Sequence, residues 1–100
     1  MAEEITDKTP GELAEENLQL AAKFGACADE LGKILNMKDV KWNILRETCT
    51  SDKQAEKQWA VTEEGQREVQ LKLQLKSIKN RQNAIRIYLQ VKADEARSLY

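Results

Sequence analysis

The chain has 100 residues, 41% of them hydrophobic and 33% charged, with a net charge of −1, four glycines, one proline and no histidine. That is the length of one domain. It lacks the roughly 18-residue apolar run of a membrane-spanning helix and the side chain that most often serves as general base or metal ligand. Few helix breakers among many Leu, Ala, Glu, Lys and Gln residues describe an all-α protein.

Met1 to Thr9 is acidic and polar, unlike a signal peptide, and residues 1–8 are expected to fray. Thr9-Pro10-Gly11-Glu12 then reads as a capping box, with Thr9 at the N-cap, Pro10 at the first helical position and Glu12 reaching back. A first helix is expected over about 10–48. At 100° per residue, Leu13, Leu20, Phe24, Cys27, Leu31, Leu35, Trp42, Leu45 and Cys49 fall on one narrow stripe, which suits coiled-coil packing. Asn17 occupies an inward position of the same stripe, where a lone Asn can set register. Lys38 interrupts it, and its stem is expected to carry the charge outward. Gly25 and Gly32 share a face, either as tolerated glycines or to admit another backbone. Cys27 and Cys49 lack zinc-ligand spacing and read as small buried thiols in a reducing compartment, with a disulfide as the alternative. The expected location is the cytoplasm.

Thr48 to Asp52 is rich in residues that prefer caps and turns, so a corner is expected at 48–51. Ser51 and Gln54 form a second capping box. A second helix should run over about 52–97, with Gly65 as the one place for a bend. The fold class that follows is an antiparallel two-helix hairpin, coiled-coil-like, over 9–100. Trp42 and Trp59 flank the corner at similar depth, and both are expected in the core. From about Val69 the second helix is apolar on two opposite faces. One face carries Val69, Leu73, Ala84, Ile87 and Val91; the other carries Leu71, Leu75, Ile78, Ile85 and Leu89. One partner helix covers one face only, so the chain is expected to form a homo-oligomer, a dimer or higher, as a helical bundle. Leu71, Leu75, Ile78, Ile85 and Leu89 are the expected interface between copies. The alternative is a first helix that kinks and wraps both faces.

Charge is uneven. Residues 1–50 hold ten acids against six bases, and residues 51–100 hold seven against ten. Between Val69 and Ala93 there is no carboxylate. Lys72, Lys79 and Arg86 repeat there every seven residues, with Lys76 beside them. Such a row could track a phosphate backbone or an acidic protein surface; alternatively it answers the helix dipole and pairs with acids of the first helix. Tyr88 is the only ring nearby, so base stacking has little to work with. No phosphate-binding loop, dinucleotide fingerprint or nucleophile elbow occurs. No enzymatic activity, cofactor or metal site is expected.

The second half invites a comparison. Ser51 to Trp59, Glu63-Glu64-Gly65, the stretch from Leu73 to Leu89 and the ending Glu95-Ala96-Arg97 resemble small helical proteins of tailed bacteriophages. Among these, the chain resembles the recombination mediator family of T4-type phages over about half its length. The resemblance implies an oligomer that contacts single-stranded DNA or a DNA-handling enzyme, with phosphate contacts at Lys72, Lys76, Lys79 and Arg86. The competing reading is a protein-only module, such as a small phage inhibitor of a host enzyme or defence complex. A bare structural coiled coil is the third.

Overall fold

The computed structural model describes residues 4–98, and the described residues contain helices and no strand. A single 3-10 turn, Ile5–Asp7, precedes α1 (Pro10–Thr48). This turn lies within the segment expected to fray. Lys8 is held by an ion pair to Glu16 at 3.3 Å. The first cap is the expected box: the Glu12 N–H donates to Thr9 Oγ1 at 3.2 Å, and the Thr9 N–H donates to Glu12 Oε1 at 3.3 Å. Each bond satisfies a donor that the first helical turn would leave unpaired.

After the corner, α2 (Asp52–Ala60) starts on Ser51, whose hydroxyl accepts from the Gln54 N–H at 3.2 Å. The Gln54 side chain reaches one residue further back than a capping box requires and accepts from the N–H and hydroxyl of Thr50, both at 2.9 Å.

The expected single helix over 52–97 is two helices, α2 and α3 (Glu63–Ser98). The chain breaks at Val61–Thr62, ahead of Gly65. Thr62 makes the break: its hydroxyl donates to the Trp59 carbonyl at 2.6 Å and accepts from the Gly65 N–H at 3.0 Å. It thereby ends one helix and caps the next. Gly65 makes room for this. A Cβ built there would lie 2.0 Å from the Trp59 carbonyl oxygen, closer than any side chain tolerates. The requirement is for space, since no glycine has a positive φ. At Gly25 and Gly32 nothing lies within 4 Å of an added Cβ.

The chain forms two compact units. One is Ala26–Leu75; the other joins the residues up to Gly25 with those from Lys76 on. We call them the corner unit and the terminal unit. In the corner unit Ile34, Trp59 and Leu71 form the core, with Cys27, Leu31 and Leu45 packed against it. Ala55 and Cys49 are also buried. Across this unit α1 and α3 run in opposite directions. Cys27 bonds Gln74 at 3.5 Å, Glu30 takes both arms of Arg67 at 2.8 and 2.9 Å, and Lys41 meets Glu64 at 2.6 Å. In the terminal unit Leu13 and Ile85 are fully buried, and Arg81 grips both oxygens of Glu16 at 3.0 and 3.2 Å. Neither cysteine is in a disulfide; Cys49 is buried and Cys27 half-buried.

Candidate interaction surface

Which face of α3 meets α1 is decided by burial. Leu71 and Ile85 have no exposed surface, and Leu75, Ile78 and Leu89 are half-buried. These five residues, expected between copies, are largely used inside the chain. Leu71 packs with Ile34 and Trp59 of its own unit. The opposite stripe is the uncovered one: Val69 and Leu73 in the corner unit, Ile87 and Val91 in the terminal unit, between 48% and 63% exposed. The wheel shows two equivalent stripes. The positions of Ile34 and Trp59, which the periodicity of α3 alone does not contain, select between them.

The basic row divides in the same way. Lys72, in the corner unit, pairs with Glu68 one turn earlier at 3.4 Å. Arg81, in the terminal unit, is taken by Glu16, whose carboxyl is held below its usual range first by the Arg81 hydrogen bonds and also by Lys8, against desolvation. Lys92 pairs with Glu95 and lies 5.7 Å from the Tyr88 ring. Lys76, Lys79 and Arg86 are exposed, and none has an ion-pair partner among the described residues. Pairing with first-helix acids thus accounts for Arg81, while Lys76, Lys79 and Arg86 face solvent. Ile87 and Val91 are the exposed apolar residues of that same part of α3.

A second group lies in the corner unit and departs from expectation. Trp59 is in the core, but Trp42 is only half-buried. Lys38 does not simply snorkel to water. Its ammonium lies 5.6 Å from the Trp59 ring and 6.0 Å from the Trp42 ring, and bonds Glu68 at 3.2 Å. Both rings present a negative face that attracts a cation. Glu68 is the one buried charged residue among those described. Desolvation is the largest influence on it and raises its pKa, but hydrogen bonds and charge from Lys38 and Lys72 together outweigh it and hold the carboxyl below its ordinary range. Sequence reasoning missed this role of Glu68. The available signal was the coincidence of a Lys in the α1 stripe with a Glu three residues before Leu71.

Two buried polar atoms have no hydrogen-bond partner among the described residues, Asn17 Oδ1 and Trp59 Nε1. Among the described residues no group of three or more His, Cys, Asp or Glu side chains could hold a metal ion, and no helix is long and apolar enough to cross a membrane. No protein-family model, curated protein or solved structure matches the chain.

Proposed function

We propose that this chain is a non-enzymatic helical interaction protein that self-associates and contacts an anionic polymer, in the manner of a phage DNA-recombination accessory. The observation that carries the reading is the state of α3 in the terminal unit. Lys76, Lys79 and Arg86 stand exposed and without ion pairs on a helix that has no carboxylate from Val69 to Ala93. Cations left unpaired in this way release counterions when they meet phosphates, which is the main source of affinity in sequence-independent binding. Self-association is supported by the balance of apolar surface. Among the described residues seven apolar side chains are buried, while eleven large ones are exposed. A core this small supports an isolated 100-residue chain poorly.

The test is retention of single-stranded DNA at rising salt. Three phosphate contacts per chain predict a slope of about −2 in log affinity against log salt. The triple variant K76Q/K79Q/R86Q should flatten that slope and lose retention. Absence of binding at low salt by the unaltered chain would remove the nucleic-acid reading. A protein-only module is the second reading. It is favoured by Ile87 and Val91, which are exposed beside the cations and which a phosphate backbone would leave uncovered.

A further inference from the structure

We infer that the outward face of α1 between Lys33 and Glu47 is a twofold interface, and that its occupant is the same face of a second copy of this chain. The inference rests on the self-association half of the reading above and is independent of the nucleic-acid half. All the residues concerned lie in the corner unit.

Val40, Ile44 and Met37 are 66%, 59% and 41% exposed. They sit on α1 away from the stripe that carries Cys27, Leu31, Ile34 and Leu45. Lys33, Asn36, Asn43 and Glu47 surround them, all exposed, and none of the four makes a side-chain hydrogen bond or ion pair among the described residues. With 3.6 residues per turn and Val40 as origin, Lys33 and Glu47 lie seven residues to either side and within about 20° of it. Met37 and Ile44 fall on one flank of this line, and Asn36 and Asn43 on the other.

This arrangement is complementary to itself when reversed. Set a twofold axis at Val40, perpendicular to two antiparallel helices, and Val40 meets Val40 of the other copy. Lys33 then faces Glu47 of the other copy, and Glu47 faces the other Lys33. Because the axis keeps each flank on its own side, Met37 falls beside the other Ile44 within one residue's rise, and Asn36 falls beside the other Asn43. Apolar meets apolar, amide meets amide, and cation meets anion, which is what an isologous contact requires. A parallel pairing in register would set Lys33 against Lys33 and Glu47 against Glu47, so the charges select the antiparallel one. Ile44 also lines a cavity of about 270 Å³ with Lys41, Leu45, Trp59 and Thr62. Met37 of the other copy arrives beside Ile44, and a flexible thioether is well suited to filling such a space.

The experiment is solution mass by sedimentation equilibrium across a concentration series, on the full chain. The expected result is a rise to twice the 11.4 kDa chain mass. Val40→Lys should hold the mass at that of one chain while leaving the helical circular dichroism unchanged, since Val40 is exposed. Lys33→Glu and Glu47→Lys should each weaken association about ten-fold, because each places two like-charged pairs in the contact. The double variant K33E/E47K should restore wild-type association, an outcome that a change in folding would not produce. A single-chain mass at every concentration overturns both self-association and this face. A dimer that V40K leaves intact, or single reversals that change nothing, overturns this face and leaves self-association standing.

Discussion

The corner unit and the terminal unit use the same two long helices and hold them by different means. In the corner unit a third element, α2, brings Ala55 and Trp59 into the core beside Ile34 and Leu71. The terminal unit has two long helices and the N-terminal turn, with Leu13 and Ile85 as its fully buried apolar side chains and the Arg81–Glu16 fork joining its two helices. Two thin helices bury little beyond a seam, and the short third helix adds two further buried side chains, Ala55 and Trp59, to it. The corner unit should therefore be the last part of the protein to open.

That contrast can be broken most directly in the core. Leu71→Ala should cost about 4 kcal/mol, because Ile34 and Trp59 leave its cavity little room to collapse, whereas Leu13→Ala should cost about 2 kcal/mol at a site free to relax. Thermal unfolding monitored by circular dichroism checks the pair. Equal losses would mean that the two units are equally well packed. Gly65→Ala should follow, at about 3 kcal/mol, since the clash is with backbone and not with a movable side chain. Amide exchange should show the loss centred on Trp59 to Gln66. A wild-type exchange pattern there would mean that α2 and α3 can be set without the close approach.

Glu68 sharpens the comparison through pH. Its carboxyl is held below its ordinary range in the folded chain. The stability it contributes is therefore present above the unfolded value of about 4.3 and is lost as pH falls through the lower folded value. Glu68→Gln should cost about 2 kcal/mol near pH 7, less than a fully buried pair because Lys38 keeps some solvent contact, and should flatten the acid limb of the melting curve. An unchanged acid limb would assign that titration elsewhere, with Glu16 of the terminal unit as the next carboxylate to test. The smallest expected effect has the opposite sign. Asn17→Leu removes a buried oxygen without a partner and should stabilise the terminal unit by about 1 kcal/mol. If the melting temperature falls instead, Asn17 has a partner in the assembled protein, and its register role is the reason it is there.

Local signals are legible in the sequence where they depend on a few neighbouring residues. Thr9 with Glu12, and Ser51 with Gln54, marked two helix starts because a cap needs only a side-chain oxygen and an amide three residues on. The third start, at Thr62, was missed for a reason that is local only in hindsight. Thr62 resembles any other threonine on the α2 side of a continuous pattern until the Trp59 carbonyl turns toward Gly65. Gly65 is a weak point of the helical pattern, but its effect appears three residues earlier, where the space it leaves is used.

The order of residues alone determined that this protein is helical, that α1 runs from Pro10 to Thr48, that a corner follows, and that α3 carries two opposed apolar stripes with a carboxylate-free basic stretch between Val69 and Ala93. Propensity, capping and periodicity act within a turn or two, so they are written in the chain. The tertiary structure alone decided which stripe is covered, which cations are neutralised and which stay in water, and that a buried glutamate would join a lysine set against two tryptophan rings. Those outcomes depend on which residues far apart in sequence come within a few ångströms, and a helical wheel with two equivalent faces contains no term that distinguishes them.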